Sequence, residues 1–229
     1  VLSALRNHIP DAYIAMMVTS DREDLISANP NLDRAILYQK SAPKLISTLR
    51  QHQFQMVLIL QPTFRLVLLT FFAGIKYRVG FITNSGGRFL LAAAVANNQD
   101  QHETDRYLDV VRAIGIPPVT NKIEMHVAES AEQWTVGILK GAGVSRERLL
   151  IGLNPGGFWP KRRWAKERFV QLADLLGSEY NAQVLITTGP SEVSLGGEIA
   201  ELMRHQPVVV RNTTPMRIAA MLQRCHLLI

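Results

Sequence analysis

Short apolar runs alternate with amphipathic stretches along almost the whole chain. AYIAMMV (12–18), RAILY (34–38), QMVLILQ (55–61) and YRVGF (77–81) predict strands. QMVLILQ is apolar enough to be buried on both faces of a parallel sheet. Between these runs, SDREDLISANP predicts a short helix that starts at Ser20 or Asp21 and is stopped by Asn29 and Pro30. KLISTLRQHQ carries Leu45, Ile46 and Leu49 on one helical face. RLVLLTFFAGI predicts a buried helix ending at Gly74. TDRYLDVVRAIGI predicts an amphipathic helix with Tyr107, Leu108, Val111 and Ile114 inward and Gly115 at its C-terminal cap.

The proline-containing stretch IPPVTNKIEMHVAE (116–129) breaks this rhythm and predicts a boundary between two domains, residues 1–126 and 127–229. SAEQWTVGILKGAG follows as a helix with a capping box from Ser130 to Gln133. The alternation then resumes. LLIGLNP, AQVLITTGP, PVVVRN and HLLI predict strands. WAKERFVQLADLLG, SLGGEIAELM and TTPMRIAAMLQRC predict helices, the last capped by Thr213 or Thr214 with Pro215 in its first turn. Strict alternation of this kind predicts an α/β fold of two Rossmann-like, doubly wound parallel sheets in tandem. VLSALRNHIP reads as the tail of a helix and RCHLLI stops inside an apolar run, so the chain is expected to be a fragment with its second domain truncated.

Composition narrows the function. The 229 residues are 47% hydrophobic and 19% charged, which is globular composition. The lone Cys225 allows no internal disulfide and, in its apolar run, reads as a buried strand residue. A net charge of +6 and a pI near 9.7 suit an anionic partner such as a nucleotide or a lipid head group. No basic run interleaved with stacking aromatics appears, so nucleic acid is not expected as a partner. The longest apolar stretch, MVLILQPTFRLVLLTFFAGI, is interrupted by Gln61, Pro62 and Arg65 and predicts no membrane span. The histidines form no ligand-spaced cluster and there is no DxD motif, so neither a metal site nor a cofactor is expected.

Three loops could carry chemistry, all expected at the carboxyl edge of the second sheet, where ligands of open parallel sheets bind. The first is GLNPGGFWPKRRWAKERF (152–169). Asn154, Pro155, Gly156 and Gly157 would let the backbone approach a ligand, and Lys161, Arg162 and Arg163 would supply charge-assisted donors to a diphosphate. The ordinary reading is a glycine turn beside a solvated basic face. The second is TTGPSE (187–192), where Gly189 and Pro190 turn the chain and Glu192 could accept hydrogen bonds from ribose or sugar hydroxyls, or could simply be a helix-start acid. The third is RNTTP (211–215), whose plain reading is a helix cap. In the first half, Gln61 and Arg65, and the NSGGR loop with Arg88, could bind an acceptor bearing anionic groups or could be ordinary polar loops. His102 and Arg106 read as a solvated helix face.

These motifs, taken together, resemble the ADP-heptose:lipopolysaccharide heptosyltransferases, glycosyltransferase family 9. IPDAYIAMMV and SANPNLDRAILY are similar to the family's early strands. MVLILQPTFRLVLLTFFAGIKYRVGF and HETDRYLDVVRAIGI are similar to its acceptor-side segments. IGLNPGGFWPKRRWAKERFVQLADLL, LITTGPSE and NTTPMRIAAMLQRCHLLI are similar to its donor-side segments. The resemblance implies a GT-B fold, with residues 1–126 on the acceptor side and 127–229 on the ADP-sugar side. It also implies inverting, metal-independent transfer of a heptosyl group to the lipopolysaccharide core.

By the same resemblance, Asn154, Pro155, Gly156 and Gly157 approach the donor diphosphate. Lys161 or Arg162 stands where the family's donor lysine lies, Glu192 with Gly189 faces the nucleoside ribose, and Thr213 lies on the adenosine side. Gln61, Arg65 and Arg88 fall to the acceptor. The family's general-base Asp would lie upstream of Val1, so the catalytic base is unknown here and the chain by itself is expected to be inactive. The implied location is cytoplasmic, with peripheral contact at an anionic inner-membrane surface. Two other readings stay open: a same-fold transferase using another sugar nucleotide, and a non-catalytic nucleotide-binding module.

Overall fold

The computed structural model describes residues 1–82, 86–118, 120–157, 159–189, 192–211 and 213–229. The chain divides into two compact units, Val1–His126 and Val127–Ile229. Every strand pairing among the described residues is parallel.

The first unit opens with helix α1 (Leu2–His8), followed by β1 (Ala15–Val18), the short α2 (Glu23–Ile26) and β2 (Arg34–Leu37). Helix α2 is shorter than its sequence suggests. Arg22 bonds back to the Thr19 carbonyl in a turn, and no side chain caps the helix, so residues 19–22 do not extend it. Then come α3 (Ala42–Gln51), β3 (Met56–Ile59), α4 (Phe64–Phe72), β4 (Tyr77–Phe81), β5 (Ala93–Val95) and α5 (Glu103–Arg112). The strands form two ladders, β1-β2 and β3-β4-β5.

Helices α3 and α4 cover one face of the three-stranded ladder through Leu45, Leu49, Leu69 and Ala73, packed with Val57. Helix α5 covers the other face through Val110, which packs with Leu58, Val79 and Phe81. Strand β3 lies at the edge of its ladder with Met56 exposed at its start, yet both of its faces are covered, Val57 on the α3–α4 side and Leu58 on the α5 side. Two expectations fail here. Helix α4 buries Val67, Leu69 and Thr70 but leaves Phe71 and Phe72 exposed, so it is one-sided. Arg106 is not solvated; only 13% of its side chain is exposed, and it lies over the rings of Phe81 and Tyr107. Strand β5, in an alanine-rich run with little apolar bulk, escaped the pattern reading altogether.

The second unit runs α6 (Glu129–Gly141), β6 (Leu150–Leu153), α7 (Lys166–Tyr180), β7 (Gln183–Thr187), α8 (Val193–Leu202), β8 (Val208–Val210), α9 (Pro215–Leu222) and β9 (Leu227–Leu228). The sheet order is β8-β7-β6-β9. Alternating residues of β6 and β7 face opposite layers, as the two-residue strand period requires. Ile151, Leu153, Val184 and Ile186 meet Phe169 and Ala173 of α7 and Ile199 of α8. Leu150 and Leu185 meet Met221 of α9, with Trp134 and Leu139 of α6 packed against them. This unit is therefore doubly wound.

The capping box is absent, because Ser130 already lies inside α6, where Gln133 donates to Glu129 Oε1 at 3.0 Å instead. Thr214, not Thr213, caps α9 by accepting from the Arg217 amide. Cys225 lies in the turn after α9, half-buried, not in a strand. No described helix is long and apolar enough to cross a membrane.

Candidate functional site

The sheet order places a topological switch point in the second unit. The chain steps from β6 to β7 to β8 in one direction and then returns to pair β9 on the far side of β6. Ligand crevices of open parallel sheets form at the carboxyl end of such a point. The loop that leaves β6 there is the glycine-rich, basic stretch that the sequence singles out.

Its conformation is fixed by one carboxylate. Glu192, at the start of α8 and 9% exposed, accepts from Arg163 across 2.9 Å. Arg163 also donates twice to the Gly157 carbonyl, at 3.0 and 2.6 Å, and the Gly157 amide lies 3.5 Å from Glu192 Oε1. A Cβ on Gly156 would stand 3.1 Å from Glu192 Cδ, and one on Gly189 only 2.5 Å from Oε2. Gly157 itself has φ of +143°, a conformation that disfavours side chains. The glycines thus serve two purposes: they admit the carboxylate between the loops, and they let the chain turn.

Arg163 is therefore spent on the loop, whereas its neighbours are not. Lys161 and Arg162 form a short 3-10 turn with Pro160, both exposed, and neither side chain has a partner among the described residues. Asn154 is exposed, and its amide donates to the Ile229 carbonyl at 2.8 Å, which continues the β6–β9 pairing into the loop. Pro155 is buried beneath it. A second clamp joins the start of α7 to the middle of α8, where Lys166 Nζ donates to Glu198 at 2.7 Å. That hydrogen bond raises the ammonium pKa above its usual value.

At the ends of β7 and β8, the hydroxyls of Thr188 and Thr213 are buried with no hydrogen-bond partner among the described residues. Buried polar atoms are normally paired, so unpaired ones at a strand edge suit a ligand or ordered water. Thr188 had not been singled out in the sequence. Its signal was indirect, in the adjacent Gly196 and Gly197. A pair of glycines inside a helix is costly, and here a Cβ on Gly196 would come within 2.6 Å of Thr188 Cγ2. Pro190, Ser191 and Asn212, which complete the predicted TTGPSE and RNTTP loops, lie outside the described residues, as does Phe158.

In the first unit, Gln61 follows β3 and Arg65 lies in the first turn of α4, both exposed. Arg65 reaches the end of β2, donating to the Lys40 carbonyl at 2.5 Å with its guanidinium 5.9 Å from the Tyr38 ring centre. Gly87, with φ of +88°, packs so tightly on Phe64 that a Cβ would stand 2.7 Å from the ring. The exposed Arg88 follows directly. That close approach sets the turn that carries Arg88 against the start of α4, the helix that carries Arg65. Asn84 and Ser85 of the same predicted loop lie outside the described residues.

Two α/β units of parallel strands, the second with its polar loops collected beyond its strand ends, have the GT-B fold of the proteins that the chain resembles in sequence and structure. The model of glycosyltransferase family 9 (heptosyltransferase) matches residues 42–229, and the chain belongs to that family. Its sequence is similar to lipopolysaccharide heptosyltransferase 2 of Escherichia coli strain K12, 26% identical over 226 residues, covering 91% of this chain and 64% of that relative. The chain thus spans just under two thirds of that curated relative's length. Its fold is similar to a family 9 glycosyl transferase of Veillonella parvula, with a TM-score of 0.90 at 22% identity over 99% of this chain and 69% of that one. It is likewise similar to the Escherichia coli ADP-heptose lipopolysaccharide heptosyltransferase II, with a TM-score of 0.81 at 22% identity over 99% and 72% of the two chains.

Proposed function

We propose that this chain forms part of a heptosyltransferase that moves a heptosyl group from ADP-heptose to the lipopolysaccharide inner core, with inversion and without a metal ion. Residues 127–229 take the ADP-sugar, and residues 1–126 take the acceptor through Gln61, Arg65 and Arg88. The observation that carries the reading is the contrast within one basic loop. Arg163 is consumed by Glu192 and the Gly157 carbonyl, which holds Lys161 and Arg162 partner-free beside the switch point of the sheet.

Transfer leaves ADP as the departing group, and its diphosphate gains charge as the glycosidic bond breaks. Cationic donors already in place lower that barrier without reorganising, which is how electrostatic preorganisation acts. Lys161 and Arg162 fill this role. The Pro155–Gly157 turn allows the diphosphate to approach the backbone. Glu192, with one oxygen held by Arg163, turns the other toward the ribose hydroxyls, and the Thr188 and Thr213 hydroxyls bond the nucleoside side. Family membership and the ADP-heptose named for the similar Escherichia coli enzyme support the choice of donor. The lack of a DxD motif supports metal independence. The positive net charge supports peripheral work at an anionic membrane surface.

Donor screening of the full-length protein tests the proposal. Turnover of ADP-heptose on a lipopolysaccharide core acceptor, undiminished by a chelator and with the anomeric configuration inverted by NMR, is the expected result. Turnover of a UDP-sugar with none of ADP-heptose would overturn it.

A further inference from the structure

Charge is distributed very unevenly along this chain. Residues 34–99 contain eight lysines and arginines and not one aspartate or glutamate. The remaining 17 cations and 19 anions leave the rest of the chain at −2, so the net +6 arises entirely from this one segment of the first unit. The segment spans β2 to β5, including α3 and α4. Helix α5, which covers the opposite face of the β3-β4-β5 ladder, carries Glu103, Asp105 and Asp109 against Arg106 and Arg112, a net charge of −1.

The basic segment also exposes apolar surface. Phe71 and Phe72 end α4 with 43% and 55% of their surfaces exposed, their rings edge to face at 5.5 Å. The Arg78 guanidinium stacks 5.3 Å from the Phe71 ring centre and donates to the Leu90 carbonyl at 2.7 Å. This ties in the 3-10 turn Arg88–Leu90, whose Phe89 is 85% exposed. On the other flank Arg50 of α3 donates to the Phe72 carbonyl at 2.7 Å, and Phe72 closes a groove with Pro43, Ser47 and Gln51. Exposed phenylalanines ringed by cations, with no acid in the sequence of that segment, complement a surface that is anionic outside and apolar beneath.

We propose that the α3–α4 face, centred on Phe71, Phe72 and Phe89 and flanked by Lys44, Arg50 and Lys76, docks the protein on the head groups of an anionic lipid bilayer. This names the surface for the membrane contact in the proposed function and does not depend on the choice of donor. The phenylalanine rings enter the interfacial zone while the lysines and arginines meet lipid phosphates.

Co-sedimentation of the full-length protein with vesicles of phosphatidylethanolamine containing about a third phosphatidylglycerol tests it. Partitioning is expected to exceed that on phosphatidylcholine vesicles by at least about tenfold and to fall steeply with salt. Lys44→Glu with Lys76→Glu, and separately Phe72→Ser with Phe89→Ser, should each lower it by about tenfold. All four side chains are exposed, and unchanged ADP affinity in each pair establishes that the fold survives. Equal partitioning on neutral vesicles, or partitioning unmoved by both pairs, would overturn the proposal. So would retention on heparin without any vesicle binding, which would assign the face to a soluble polyanion. Loss of ADP binding by the unmodified protein, with vesicle binding intact, would instead sink the donor reading and leave this one standing.

Discussion

Arg163 and Glu192 lie 29 positions apart in sequence, and their side chains meet at 2.9 Å, with the Gly157 carbonyl completing the arginine's contacts. Only 26% of the arginine and 11% of the glutamate side chain is exposed, so the pair is sheltered from the screening that makes surface pairs nearly neutral. It welds the loop after β6 to the start of α8.

Removing either partner strands a charge. Arg163→Met and Glu192→Ala should each destabilise the second unit by about 1–3 kcal/mol in urea unfolding. The double variant should cost less than the sum of the two, with a coupling of about 1 kcal/mol or more. Additive costs would mean that the pair does not hold the loop. Glu192→Gln keeps an acceptor for Arg163, and its loss should be the smaller one.

Glycines distinguish packing from conformational freedom. Gly80 lies in β4 directly against β3, where a Cβ would stand 2.9 Å from both the Cβ and the carbonyl oxygen of Ile59. Backbone cannot retreat as a side-chain tip can, so Gly80→Ala should cost about 1–3 kcal/mol or more. Gly137 lies inside α6 with nothing within 4 Å of a new Cβ. Gly137→Ala should therefore stabilise by up to about 1 kcal/mol. Thermal unfolding of the two variants should move in opposite directions.

Burial pushes the Cys225 thiol up from an ordinary 9.0 to about 11. The thiolate is the reactive species, so native Cys225 should react with iodoacetamide at pH 8 about a hundredfold more slowly than the urea-unfolded chain. Because the folded value is raised, the neutral thiol favours folding fully below pH 9. That contribution fades as pH climbs toward 11. Equal rates in the folded and unfolded states would show that the thiol is not desolvated.

Much of this architecture was legible from periodicity. The runs around Met56 and Leu150 gave strands, and the alternation with helices gave parallel order, because only βαβ crossovers connect such elements. Burial was read less well. Helix α4 is apolar enough to be buried all round, yet it leaves Phe71 and Phe72 exposed, because composition does not reveal which helix face is left uncovered. Local caps also misled: Ser130 and Gln133 fit a capping box, but α6 starts earlier and absorbs Ser130.

In the candidate site, the basic loop was visible as three adjacent cations. Their division of labour was not, because the partner that engages Arg163 comes from a loop 29 positions away. The unpaired Thr188 hydroxyl was equally hidden, since a threonine at a strand end looks the same in sequence whether its hydroxyl is bonded or not.

The central claim is that Lys161 and Arg162 form the diphosphate cradle, and isothermal calorimetry of ADP binding tests it most directly. Lys161→Ala with Arg162→Ala in the full-length protein should weaken ADP by at least about tenfold, since each charge-assisted bond is worth about 1.5–3 kcal/mol before solvent screening. Both residues are exposed, so the unfolding midpoint should hardly change. ADP affinity equal to that of the unmodified protein would contradict the account and remove these residues from the site.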